Sequence, residues 1–192
     1  QVVEMVSWTL AQKDMNKQKN SSADFCHVET ARKNNHGLRI PRRPMIAAVL
    51  LAAGESSRMG LSKALLPFGR ATFSRSVLTA MMKGGADYVF VVVGSGPGPV
   101  VAHICDLGPR FVYNSNWPKG QLSSLQAAIC ACPKSVSAIM VAQVDQPGLR
   151  ASTVHDILSV ARRFPDKIVV GGYRGRRGHP AVFPRRLFKE LL

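Results

Sequence analysis

The sequence predicts a three-layer α/β/α domain built around a mostly parallel sheet. Two observations carry that expectation. From Met45 onward, short apolar runs rich in Val alternate with stretches of helical spacing, the pattern of strand–helix–strand units. Aromatic residues make up only 7% of the chain against a hydrophobic share of 46%. Small and β-branched side chains of that kind suit strands buried on both faces by crossover helices.

The 192 residues suffice for one domain with a real core. Gln1 to Pro44 is rich in Lys, Asn, Gln and Ser and closes in Pro41-Arg42-Arg43-Pro44. Apart from a short helix near Val2 to Leu10, residues 1–44 read as an extension or linker, with the domain spanning residues 45–192. Ile46 to Leu51 reads as a buried strand, and Gly54 and Gly60 mark a loop that runs to Lys63. Thr72 to Met82 carries helical spacing and stops at Gly84-Gly85. Tyr88 to Val93 is a second strand, Pro99 to Cys105 a short helix and Phe111 to Tyr113 a brief strand. Ser123 to Cys132 is a helix ended by Pro133, and Ala138 to Val144 a further strand. Ser152 to Arg163 is helical, and Ile168 to Gly171 is the last strand. Sheets of this type bind ligands beyond the carboxyl ends of their strands, so the chemistry is sought there.

The formal net charge of +15 draws anions, whether nucleic acid, a membrane surface or phosphorylated metabolites. No zinc-finger spacing or interleaving of aromatic and basic residues favours nucleic acid. The longest apolar run, Met45 to Ala53, is too short to span a bilayer, and no secretory signal precedes it. A cytoplasmic protein with no membrane partner is expected. Cys26, Cys105, Cys130 and Cys132 form no metal or disulfide framework and read as core thiols.

The first strand runs into Leu51-Ala52-Ala53-Gly54-Glu55-Ser56-Ser57-Arg58-Met59-Gly60, with Lys63 following. Small residues let backbone N–H groups approach a polyphosphate, and Arg58 and Lys63 add positive charge. The spacing fits neither a Walker A loop nor G-x-G-x-x-G, although Gly94-Ser95-Gly96 comes near the latter. Asp145, in Val144-Asp145-Gln146-Pro147, stands at another strand end, where one carboxylate can hold Mg²⁺ that keeps waters and leans on substrate phosphates.

Leu51 to Lys63 resembles the L-A-A-G-x-S-x-R-M-G-x-x-K signature of the MobA-like NTP transferase family, especially its molybdenum cofactor cytidylyltransferases. The resemblance implies a Rossmann-like fold of the nucleotide-diphospho-sugar transferase type. It also implies transfer of CMP from CTP to the phosphate of molybdenum cofactor, the molybdopterin acceptor, with Mg²⁺ and release of pyrophosphate. Leu51, Ala52, Ala53, Gly54, Arg58, Gly60, Lys63, Asn114 and Asp145 would hold the nucleotide. Arg58, Lys63 and Asp145 would be catalytic, and Asp145 would be the metal ligand. Guanylyl-transferring relatives usually read L-A-G-G, so Ala53 points to CTP.

Asn114 to Leu125 is similar to the family's segment before its G-x-x-x-S-L helix, with Gln121 where many relatives have Met. Tyr173 to Phe183 is similar to its G-x-R-G-H-P-x-x-F stretch, on what reads as a glycine-rich turn. Ser123, Ser124, Arg177, Gly178 and His179 are accordingly expected at the acceptor, with His179 positioning it rather than acting as a base. Small phosphorylated substrates, and a molybdoenzyme receiving the cofactor, are the implied partners. Family members continue well past the Gly-His-Pro region, so a C-terminally short domain without a late acidic metal ligand is expected. The competing readings are a sugar-phosphate nucleotidyltransferase and a silent nucleotide- or cofactor-binding protein.

Overall fold

The structure, a computed structural model, describes residues 43–54 and 62–192. The expected helix near Val2 to Leu10, Cys26, Arg58 and Gly60 lie outside the described residues.

The described strands are β1 (Met45–Ala52), β2 (Pro67–Phe68), β3 (Ala71–Thr72), β4 (Tyr88–Val93), β5 (Arg110–Tyr113), β6 (Val136–Gln143), β7 (Val169–Tyr173) and β8 (Arg176–Pro184). The helices are α1 (Phe73–Lys83), α2 (Gly98–Ile104), α3 (Gln121–Ala131), α4 (Ala151–Arg163) and α5 (Phe188–Leu191). The main sheet runs β5-β4-β1-β6-β8-β7, and β2 and β3 form a separate small hairpin. β1 pairs in parallel with both β4 and β6, and β4 with β5. β8 runs antiparallel to β6 and to β7. Every strand and helix predicted within the described residues is present, with ends that move by one or two residues.

Strand period explains the layers. Ile46, Ala48 and Leu50 of β1 face a core with Val77, Leu78 and Met81 of α1 and Val154, Ile157 and Leu158 of α4. Ala47, Val49 and Leu51 face the other core, with Leu125, Ala128 and Ile129 of α3 and Phe188 of α5. β1 is therefore buried on both sides, as its unbroken apolar run requires; each large side chain removed from water contributes about 1.5–3 kcal/mol.

The chain path defines one special place. From β1 it passes outward to β4 and β5, then returns to lay β6 on the other side of β1. The chain's direction of travel across the sheet reverses there, and a crevice lies outside the carboxyl ends of β1 and β6. At the opposite end of the sheet Asp87 closes the layers. Its Oδ2 accepts from the Ile46 N–H at 2.8 Å and from Arg162 at 3.0 Å, and its Oδ1 pairs with Arg43. Burial opposes ionisation, but the Ile46, Arg162 and Arg43 bonds outweigh it and hold the Asp87 carboxyl below its ordinary range.

Three findings depart from the sequence pattern. The expected glycine-rich turn over Tyr173 to Phe183 is confined to Arg174 and Gly175, both at positive φ, and the rest is β8. Helix α3 begins at Gln121 rather than Ser123, because Gly120, at φ 96°, turns the chain into the helix first. The cysteines among the described residues are not core thiols: Cys105 and Cys130 are exposed, and Cys132 is half-buried with its thiol pushed up to about 11 by burial. Among the described residues no helix is long and apolar enough to cross a membrane.

Candidate active site

A cavity of about 320 Å³ opens in the β1–β6 crevice. Leu51, Ala52, Ala53 and Gly54 form one wall as β1 ends, and Gln143, Val144 and Asp145 form another as β6 ends. Ser62, Lys63 and Ala64 approach from the chain that follows the first loop, and Trp117, Pro118, Gly120, Gln121 and Ser124 close it from the α3 side.

Backbone geometry holds these groups together. The Val144 N–H donates to the Leu51 carbonyl at 3.3 Å, so the two strand ends stay paired just before the turn that carries Asp145. Asp145 stands in that turn, exposed, two residues beyond the end of β6. Lys63 opens the short 3₁₀ turn Lys63–Leu65, and the buried Ser74 of α1 donates to the Ala64 carbonyl at 2.7 Å, fixing that turn to the scaffold. A cation and a carboxylate thus face one hollow floored by small residues. The arrangement admits a polyanion at the backbone and neutralises it from the side.

Asn114 is buried at 4% exposure and stands behind the wall. Its Nδ2 donates to the hydroxyls of Ser123 and Ser124 at 2.9 and 3.0 Å, while its Oδ1 accepts from the Asn116 N–H at 2.9 Å. The Ser123 hydroxyl also lies 2.8 Å from the Asn116 carbonyl and 2.7 Å from that of Gly120. Its one proton is spent inside the turn, whereas Ser124 reaches the cavity lining. Local sequence does not single out Trp117, Pro118, Gln143 or Ser62 for the site; only the fold shows that they share it.

Arg177, Gly178 and His179 do not line this cavity. They border a second hollow of about 400 Å³, with Tyr173, Arg176, Pro180 and, from α4, Thr153 and Ile157. The β6–β8 pairing ends at Val141 and Ala181, and in this antiparallel pair Gln143 and His179 both lie beyond that end of the ladder. Both hollows therefore open at the same edge of the sheet.

Among the described residues no three His, Cys, Asp or Glu side chains cluster as a ready-made metal cage. Among the described residues that line the cavity, Asp145 is the carboxylate. That donor set fits Mg²⁺, which takes one or two carboxylates, keeps waters and completes its shell with substrate phosphates.

Residues 48–192 match the MobA-like NTP transferase domain. The chain belongs to this family. Family and fold together make it an enzyme of the nucleotidyltransferase class. The MobA-like chain is 38% identical over 148 residues to nicotine blue oxidoreductase of Paenarthrobacter nicotinovorans, covering 72% of this chain and 71% of that one. It is 33% identical over 111 residues to a molybdenum cofactor guanylyltransferase of Xanthomonas euvesicatoria, covering 58% of this chain and 52% of the relative. Among solved structures it resembles Rv0371c of Mycobacterium tuberculosis H37Rv, with 30% identity and a TM-score of 0.70 over 77% of this chain and 75% of that one. The manganese complex of the same mycobacterial protein aligns at 28% identity with a TM-score of 0.66, covering 77% and 74% of the two chains.

Proposed function

We propose that this MobA-like transferase moves CMP from CTP onto the phosphate of molybdenum cofactor and releases pyrophosphate. The observation that carries the reading is the convergence of the Leu51–Gly54 turn, Lys63 and Asp145 on one cavity at the strand switch point. Two polyanions must meet for this reaction, and repulsion is the first obstacle. The small-residue turn admits the triphosphate to the backbone, and Lys63, with Arg58 by family resemblance, offsets its charge. A magnesium ion at Asp145 would supply further neutralisation as charge builds on the leaving pyrophosphate. That the mycobacterial relative forms a manganese complex supports a divalent ion in this reaction.

The acceptor's attacking phosphate oxygen is already ionised near neutral pH, so no general base is needed. Arg177, Gly178 and His179, in the second hollow on the same sheet edge, are assigned to hold the acceptor. Kinship with the guanylyltransferase supports molybdenum cofactor as that acceptor, with a molybdoenzyme receiving the product. The choice of CTP rests on Ala53, a residue of the cavity lining that stands where guanylyl-transferring relatives usually carry glycine.

The test is pyrophosphate release by the purified chain with Mg²⁺, molybdenum cofactor and either CTP or GTP. Release with CTP alone is expected. Release with GTP alone overturns the base assignment, and silence with both overturns the reaction. The 38% identity to nicotine blue oxidoreductase favours a second reading, in which the cavity holds the pyrophosphate of a dinucleotide and the second hollow takes an electron acceptor. Oxidation of NADH or NADPH by a quinonoid dye, without pyrophosphate release, would select it.

A further inference from the structure

Among the described residues lining the β1–β6 cavity, Trp117 is the aromatic one. It is held from two sides. Its N–H donates to the Asn114 carbonyl at 3.4 Å and its own carbonyl accepts from the Gly120 N–H at 3.0 Å, within the turn that Asn114 and Ser123 bind together. On the ring side, a Cβ placed on Gly94 would lie 2.8 Å from Trp117 Cγ and 2.5 Å from the Ala53 carbonyl oxygen. The indole therefore rests on bare backbone at the end of β4, directly beside the β1 turn. Gly94 is needed here for room, since any side chain would displace either the ring or the turn.

We propose that Trp117 is the platform on which the nucleobase of the bound nucleoside triphosphate packs. The proposal rests on the reading that a nucleotide occupies this cavity. A partly exposed indole, fixed next to the phosphate-binding turn, offers a flat apolar face to a group that would otherwise lie in water. Stacking of a base on an aromatic side chain is tolerant of base identity, because every base has a π-face. Trp117 thus supplies affinity for CTP and GTP alike, and selection between them falls to other groups such as Ala53. Because the contact is equal in ground and transition states, its loss raises KM and leaves kcat unchanged.

The chain has two tryptophans, Trp8 and Trp117, so Trp8→Phe leaves Trp117 as the sole indole reporter. That variant of the full chain is titrated in Mg²⁺ with CTP, GTP and inorganic tripolyphosphate, while equilibrium dialysis measures nucleotide binding independently. Both nucleotides are expected to change Trp117 emission along the dialysis curve, and tripolyphosphate is expected to leave it unchanged. Trp117→Ala should weaken CTP and GTP binding by the same factor, about tenfold or more, with Trp117→Phe within about threefold of the parent. Circular dichroism checks the fold. If Trp117→Ala does not fold, Trp117→Leu keeps apolar bulk without the ring, and the same common loss is expected. Nucleotide bound by dialysis without a change in emission, or with full affinity in the alanine or leucine variant, overturns the platform and leaves the cavity reading intact. Absence of nucleotide binding to the parent chain overturns both.

Discussion

Two aspartates stand at opposite ends of the same sheet, and the protein treats them in opposite ways. Asp87, before β4, is only 12% exposed at its side chain and fully committed, to the Ile46 N–H, Arg162 and Arg43. Asp145, after β6, is exposed on a turn at the cavity. A carboxylate whose oxygens are satisfied internally stabilises the fold and has nothing left for a ligand. One held in place by backbone alone contributes little to stability and keeps its lone pairs for a metal or substrate. The amino ends of the strands close the molecule, and the carboxyl ends are left open for chemistry.

The largest effect is expected at the open end. Asp145→Asn removes the charge that would hold a divalent ion and should lower kcat for nucleotidyl transfer by about 10²–10³-fold. Its melting temperature should stay near that of the parent, since exposed substitutions usually fall within about 0.5 kcal/mol. Comparable activity in the variant would remove Asp145 from the mechanism. Asp87→Asn should do the reverse, costing about 2 kcal/mol of stability, with activity per folded molecule preserved. Its pH dependence has a definite sign. The folded-state carboxyl lies below its ordinary value of 3.8, so the stabilisation is present above that pH and is lost as pH falls through the folded value. Melting curves of parent and variant should be offset by a constant amount from pH 5 to 8 and converge below about pH 4. An offset that grows in acid would refute the assignment.

The same substitution at two glycines sharpens the contrast. A Cβ on Gly84, just after α1, would lie 2.4 Å from Val154 Cγ1 of α4, inside the helix layer. A Cβ on Gly94 would meet the Ala53 carbonyl at 2.5 Å, a backbone atom of the β1 turn. Each alanine should cost about 1–3 kcal/mol by overpacking, but only Gly94→Ala should also raise KM for the nucleotide. Equal kinetic effects at both sites would mean that the turn is not shaped from Gly94.

Much of this arrangement is legible in the amino-acid sequence itself. The unbroken apolar run of Ile46 to Leu51 and the Gly84-Gly85 stop fix strand and helix by local rules alone, and the loops after the strands point to Lys63 and Asp145. What stays hidden depends on distant neighbours. β8 escapes local reading because Arg176-Arg177-Gly178-His179-Pro180 has neither alternation nor a β-branched residue; its pairing with β6 and β7 makes it a strand. Ser123 looks like a site hydroxyl in sequence, yet Asn114 and two carbonyls absorb it. Trp117 reaches the cavity only because Gly94, far away in the chain, lacks a side chain.

The smallest expected effect concerns which base enters the open end. Ala53 is buried at 5% exposure, yet it contributes to the cavity wall between Ala52 and Gly54. Removing its methyl widens the cavity by less than a base's difference in size, and a glycine there costs about 0.5–1 kcal/mol of backbone freedom. A hydrophobic pocket discriminates one methylene by roughly tenfold at its lower bound. Ala53→Gly should therefore shift the ratio of kcat/KM for GTP over CTP upward by roughly that factor, while Asp145→Asn depresses both equally. A ratio that stays fixed would show that the Ala53 methyl does not meet the base, and selection would then pass to the polar side chains at the rim, Gln121 and Gln143. Both carry amide donors and acceptors that can read a base edge, which a methyl group cannot.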